Sequence, residues 1–233
     1  MLTRTLIIPD LHHHTANADH WLQSIEHDRV VFLGDFFDDY EDTVEDAART
    51  ARWLCRQMEN PDAVFLFGNH DLPYRFGGDE RVECPGFSPA KSDAINGILK
   101  REHWNRFQLA HAEQGWLLSH AGFHPAWMKD ATEEAILGRC GEAIRLAHQG
   151  LIDPIMGMGD LPGGIRKYGG PLWMDWENFL PIKGINQIVG HTSGEQVRTV
   201  KGIESTNHCI DVTNGKAAIL MTRGTIETIH AGR

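Results

Sequence analysis

Val30-Val31-Phe32-Leu33-Gly34-Asp35-Phe36-Phe37-Asp38 is the stretch that decides the fold. Four apolar residues, two of them β-branched, read as a strand buried on both faces. Glycine then lets the chain turn sharply, and two carboxylates emerge just beyond the strand's carboxyl end. The pattern recurs on both sides. Leu6-Ile7-Ile8 leads through Pro9 into Asp10-Leu11-His12, and Val64-Phe65-Leu66-Phe67 leads into Gly68-Asn69-His70-Asp71. Farther along, Trp116–Ser119 ends at His120-Ala121-Gly122, and Ile185–Val189 at Gly190-His191-Thr192. Apolar strands fix the backbone, so side chains at their ends meet along one edge, where open α/β sheets bind ligands. Carboxylate, imidazole and amide groups at five such edges can hold two divalent ions about 3.5–4 Å apart, the arrangement of two-metal hydrolysis at phosphorus.

Helical patterns lie between these strands. Val44, Ala47, Ala48, Ala51, Leu54 and Cys55 share one face of a helix expected from Asp42 or Thr43, either of which can cap it, to Met58. Asn60-Pro61 ends it. Further helices are expected near Ala18–His27, over Asp93–Arg101 and over Glu133–His148. Strand and helix alternating in this way imply parallel pairing with right-handed crossovers. Toward the C-terminus, Ile203–Asp211, Ala217–Thr222 and Thr225–His230 read as antiparallel strands with turns at Asn214-Gly215 and Arg223-Gly224. The segment from about 150 to 171 is rich in Gly and Met, holds three prolines, and is expected to form a long loop over the metal edge. With no Pro-, Ser- or charge-rich linker, residues 1–233 are expected to form a single domain.

Bulk properties narrow the function. The chain has 233 residues and 41% hydrophobic content, enough for a buried core, and a formal net charge of −10. That charge argues against an extended nucleic-acid-binding face, which is built from clustered Lys and Arg. A nucleotide substrate stays open, since bound metal ions supply local positive charge. Cys55, Cys84, Cys140 and Cys209 show no C-x-x-C spacing and read as reduced thiols of a cytoplasmic protein. The apolar run Leu6–Ile8, cut by Pro9, is too short for a signal peptide or a membrane span.

Taken singly, each cluster reads equally well as a turn or cap. Together they divide the chemistry. The two oxygens of Asp35 can bridge two cations. Asn69 offers a neutral carbonyl oxygen that keeps the site from becoming too negative for a phosphate. His70, beside a ligand, offers a proton rather than a lone pair.

Asp10-x-His12, Gly34-Asp35-x-x-Asp38, Gly68-Asn69-His70-Asp71, His120 and Gly190-His191 resemble the motifs of the calcineurin-like metallophosphoesterases, over about residues 5 to 222. Three features resemble the bacterial phosphoprotein-phosphatase-like branch, which includes symmetrical diadenosine tetraphosphate hydrolases. These are Gly190-His191-Thr192 followed by Ser193, where other branches carry a second histidine, then Pro171-Leu172-Trp173-Met174-Asp175, and Cys209-Ile210-Asp211-Val212. The resemblance implies a four-layer α/β/β/α sandwich, mixed sheets flanked by helices. It implies that Asp10, His12 and Asp35 hold a first metal ion, and that Asp35 bridges to a second held by Asn69, His120 and His191. His70 is then the general acid, with Asp38 accepting its other ring N–H. The implied reaction is in-line attack on phosphorus by a metal-bridging hydroxide, without a covalent enzyme intermediate. Donors without thiolate suit Mn²⁺, Fe or Zn, with Mn²⁺ favoured on resemblance.

Two positions depart from that pattern. The branch usually carries a phosphate-gripping arginine where this chain has Asp39, and commonly glycine where it has His13. Arg75 and Arg166 are candidate substitutes for the arginine, with solvated surface charge as the plain alternative. His13 and His14 are expected to be exposed loop residues, Phe36 and Phe37 to close the core, and Trp173 and Trp176 to pack the lid loop. The reading is a phosphomonoesterase acting on a phosphoprotein or small phosphate ester, with no membrane partner. Hydrolysis of dinucleoside polyphosphates or phosphodiesters is the alternative, and a catalytically inactive metal-binding interaction module the remote one.

Overall fold

The computed structural model describes residues 3–77, 79–128, 131–158, 170–213 and 217–230. The first half of the chain alternates strand and helix as expected. It runs β1 (Arg4–Ile8), α1 (Thr15–Ser24), β2 (Arg29–Phe32), α2 (Val44–Gln57) and β3 (Ala63–Leu66). α2 starts at a capping box in which Thr43 and Asp46 satisfy each other's backbone N–H. β1, β2 and β3 pair in parallel. Then come α3 (Leu72–Phe76), α4 (Pro89–Ile98), α5 (Arg101–Trp104), β4 (Phe107–Gln108), β5 (Ala110–Glu113), β6 (Trp116–Ser119) and α6 (Glu133–Ala147). β7 (Gln187–Val189), β8 (Arg198–Gly202), β9 (Ser205–Cys209), β10 (Ala217–Thr222) and β11 (Thr225–His230) complete the fold.

The strands form two mixed sheets, ordered β11-β10-β1-β2-β3-β4 and β5-β6-β7-β9-β8. Alternation along each strand shows why helices flank them. Leu6, Ile8, Val30 and Phe32 join a core built with α1, α2 and the other helices, while Ile7, Val31, Leu33 and Leu66 point the other way. There they meet Trp116, Leu118, Ile188 and Ile210 of the second sheet. Strands buried on both faces therefore lie inside an α/β/β/α sandwich. Phe36 and Phe37 are fully buried, as expected. No helix among the described residues is long and apolar enough to cross a membrane.

Two expectations are corrected. The helix over Asp93–Arg101 is two helices, because Leu99 at the end of α4 is extended, with ψ 112°. Ile203–Asp211 is not one strand in an antiparallel C-terminal unit. Ile203 and Glu204 turn between β8 and β9, and β9 pairs in parallel with β7 in the second sheet. β10 and β11 form an antiparallel hairpin on β1 in the first sheet, around the turn at Arg223-Gly224, where both φ angles are positive. β8 was hidden by its half-exposed, polar composition. The turn expected at Asn214-Gly215, most of the Gly- and Met-rich loop, and Arg166 within it lie outside the described residues.

Candidate metal centre

Each candidate ligand follows a strand: Asp10 after β1, Asp35 after β2, Asn69 after β3, His120 after β6, His191 after β7. Crowding at this edge requires glycine. A Cβ on Gly68 would lie 2.1 Å from Asp35 Oδ1 and 2.3 Å from the Asp35 nitrogen, and one on Gly190 would lie 2.0 Å from Asp10 Oδ1. Gly68→Ala must displace Asp35, and the overpacking should cost about 1–3 kcal/mol. A lower midpoint in thermal melts, together with reduced metal uptake, is the expected result. An unchanged melt and full uptake would show that the two loops yield without strain.

Side-chain donors converge in two groups, Asp10–His12–Asp35 and Asp35–His120–His191, with Asp35 common to both. Within each group the ligand atoms lie within 4.8 Å of one another. Neighbouring groups aim them. His120 Nδ1 donates to the Leu33 carbonyl at 3.0 Å and His12 Nδ1 to the Asp38 carbonyl at 2.5 Å, so each presents Nε2 to the carboxylates. Asn69 Nδ2 donates to Cys84 Sγ at 3.3 Å, which turns Oδ1 inward to 2.9 Å from His120 Nε2 and 3.1 Å from His191 Nδ1. The His191 backbone N–H donates to both oxygens of Asp10 at 3.0 Å.

The inward-facing atoms are thus acceptors packed against acceptors, which a cation satisfies and a neutral cavity does not. Electrostatics agree. Burial alone would lower the histidines, yet Asp35 and then Asp10 outweigh it and push His12 up to about 9 and His120 up to about 10. Burial would raise Asp35, but His120 above all holds it well below the usual carboxylate range. Burial, followed by the charge of His120, pushes His191 down to about 3. Divalent ions displace the protons that such a site otherwise draws.

Beside the ligands, His70 Nδ1 lies 3.2 Å from Asp38 Oδ2, and the His70 backbone N–H donates to Asp35 Oδ1 at 2.9 Å. Asp71, whose own task the motif did not reveal, accepts N–H bonds from Asp35, Phe36 and Gly68 at 2.8–2.9 Å and so clamps two ligand loops together. His13 corrects an expectation. Its ring is only 7% exposed and lies 2.8 Å from both Thr50 Oγ1 and Asp42 Oδ2. His14 is half exposed, with Nε2 3.4 Å from Asp39. Tyr74 and Lys91, which also reach Asp38, had no motif to mark them.

A cleft of about 490 Å³ opens beside the site, lined by His12, His70, Asp38, Asp39, Tyr40, Glu41, Asp42, Pro85 and Gly86. Arg75 does not line it. Its guanidinium contacts His148 Nδ1 at 2.9 Å and stacks on Phe76, in a separate cleft between α3 and the end of α6. The Leu-Trp segment does reach the metal edge. Ala121 donates to the Pro171 carbonyl and Trp176 to Thr192 Oγ1, so residues next to His120 and His191 anchor it. Trp173 packs on the core and Trp176 stacks on Phe179.

Residues 3–195 match the calcineurin-like phosphoesterase family. The chain belongs to that family. This phosphoesterase is 30% identical over 159 residues to the symmetrical bis(5'-nucleosyl)-tetraphosphatase of Methylococcus capsulatus, covering 64% of its own length and 48% of the relative's. It therefore spans about half the length of that curated relative. Among solved structures, a cold-active protein-tyrosine phosphatase of a psychrophilic Shewanella species superposes with a TM-score of 0.59 at 16% identity, over 99% of this chain and 81% of that one. A protein serine/threonine phosphatase of Saccharomyces cerevisiae gives 0.55 at 14%, over 99% and 81%. A putative diadenosine tetraphosphatase gives 0.54 at 13%, over 98% and 93%. These likenesses establish the fold. Membership makes the phosphoesterase a hydrolytic enzyme and implies divalent metal ions, which the inward-facing donors fit.

Proposed function

We propose that the phosphoesterase is a phosphomonoesterase whose leaving group is an uncharged or cationic alcohol, such as a phosphoserine side chain in a neutral or basic setting. The cleft beside His70 carries this reading. Asp39 and Glu41 line it, beside an Asp42 that is already paired with Lys91, and no Lys or Arg is among its described lining residues. A leaving group departs toward the general acid and must therefore occupy that cleft. A nucleoside diphosphate would bring several negative charges onto these carboxylates, at ~1–4 kcal/mol for each close pair. An alcohol carries no such penalty.

In this reading Asp10, His12, Asp35, Asn69, His120 and His191 hold two divalent ions, with Mn²⁺ the choice for assay. Bound there, the ions neutralise the phosphoryl oxygens and lower the pKa of a coordinated water. His70 donates its Nε2 proton to the leaving oxygen as the P–O bond breaks. Asp38 accepts the Nδ1–H, which fixes the tautomer and aims the ring. Both sheets contribute donors to one site, which supports a single domain. A second reading, hydrolysis of dinucleoside polyphosphates, is favoured by the likeness to the tetraphosphatase.

A screen with Mn²⁺ over phosphopeptides, p-nitrophenyl phosphate, a bis-aryl phosphate and dinucleoside polyphosphates separates the two. Faster turnover of a dinucleoside tetraphosphate than of any monoester would overturn the first. Asp39→Arg adds a charge-assisted partner where Asp39 now repels phosphate. Such bonds contribute roughly 1.5–3 kcal/mol, so KM for a phosphomonoester should fall about tenfold. An unchanged or higher KM at normal metal content would place this position away from the substrate.

A further inference from the structure

Asp38 is held at more points than a simple partner of His70 requires. Its φ is 63°, a left-handed conformation rare outside glycine. Its carbonyl accepts from His12 Nδ1. Carboxylate Oδ1 accepts from the Tyr74 hydroxyl and, at 2.7 Å, from the ammonium of Lys91, while Oδ2 faces His70 Nδ1. Lys91 is 5% exposed, and its ammonium also reaches both oxygens of Asp42 at 2.9 and 3.0 Å. Asp42 in turn meets His13. The Tyr74 ring lies between Phe37 and Phe87, with centroids 5.3 Å away on each side, so its hydroxyl cannot wander. Gly86 closes the remaining side, since a Cβ there would lie 2.9 Å from the Asp38 side chain.

We infer that Lys91, on α4 and outside every motif, is a positioning residue for proton donation: with Tyr74 it occupies Asp38 Oδ1, leaving Oδ2 as the oxygen that orients His70. The inference rests on the reading of His70 as general acid. A carboxylate with one oxygen saturated by two donors has a fixed plane, and its second oxygen then points one way. Without the ammonium, Asp38 and Asp42 face each other as uncompensated carboxylates. Oδ1 also keeps only the Tyr74 hydroxyl, so the carboxylate is free to turn and Oδ2 leaves the Nδ1–H of His70 whether or not Asp42 is charged. The Asp38 carbonyl that aims His12 need not move when the carboxylate turns, so the change should appear only where a proton is needed.

The test compares kcat of the Mn²⁺-loaded enzyme on a phosphoserine peptide, whose alkoxide leaves poorly, with kcat on p-nitrophenyl phosphate, whose phenolate leaves well. Lys91→Met should lower the first by roughly 10–100-fold, part of the 10²–10⁴-fold that general acid catalysis contributes. It should lower the second by less than about threefold, with metal content and both KM values unchanged. Tyr74→Phe removes the other Oδ1 partner without changing a charge and should skew the ratio in the same direction. Lys91→Met/Asp42→Asn relieves the buried repulsion and keeps the test available if the single variant does not fold. Equal losses on both substrates, or a wild-type ratio in the double variant, would overturn the inference, because Lys91 would then only balance Asp42. His70→Asn is the reference. If it shows no leaving-group selectivity, the general-acid reading fails first. If it does and the Lys91 and Tyr74 variants do not, only the positioning role fails.

Discussion

Asp35→Asn is expected to empty the centre of both ions and to cost roughly 10³-fold or more in kcat. Asp35 is the residue that the two donor groups share, so the change touches both sites at once. The amide keeps the shape of the carboxylate. It can still accept the His70 backbone N–H, and the clamp formed by Asp71 need not move. What would disappear is one negative charge at the residue common to both groups, and with it one of two carboxylate oxygens that could bind a cation. Metal catalysis supplies several kcal/mol of transition-state stabilisation, and each 1.36 kcal/mol is a factor of ten in rate. His191→Ala, by contrast, removes a donor from one group only and should spare part of the metal. Elemental analysis of the purified variants, beside turnover of p-nitrophenyl phosphate, decides the matter. Two full equivalents of metal in Asp35→Asn would end the bridging role.

His70→Asn should behave in the opposite way, with metal content near wild type and a rate loss that depends on the leaving group. No coordination bond should be removed, because His70 belongs to neither donor group and its Nδ1 faces Asp38. A serine alkoxide needs a proton as the P–O bond breaks, and p-nitrophenolate does not. The loss should approach the 10²–10⁴-fold of general acid catalysis for an alkyl phosphate and be much smaller for the aryl ester. Equal losses at full metal content would mean that His70 positions the phosphate or stabilises its charge. A large loss of metal would make it a ligand.

The parts of this centre that were legible in the sequence are those carried by contiguous runs. An apolar strand followed by Gly-Asp or Gly-Asn-His announces both an element and the side chain at its end, so β1, β2, β3, β6 and β7 could be placed together with their donors. Groups that arrive from elsewhere in the fold could not. Lys91 lies in Pro89-Ala90-Lys91-Ser92, which reads as an ordinary polar helix start, and only the packing of α4 against α2 brings it to Asp38. His13 looked like loop because nothing local showed that Asp42 and Thr50 would enclose it. Cys84, which orients Asn69, stands fifteen residues from its partner. Of the C-terminal strands, β10 and β11 pair antiparallel as read, whereas β9 does not join them. Alternation reports that a strand has two faces, not which sheet its edges will join, and β9 and β10 go to different sheets.

The donors come from both sheets: Asp10, Asp35 and Asn69 from the first, His120 and His191 from the second. In linkage terms, ions held there are ligands of the docked state alone. A chain whose sheets have parted keeps each half-set but loses the chelate, so its affinity for the ion falls. Free ion therefore stabilises the folded protein by mass action, by ~2.7 kcal/mol at a hundred times the dissociation constant. Conformational stability and catalytic competence then rise and fall with the same free-ion concentration.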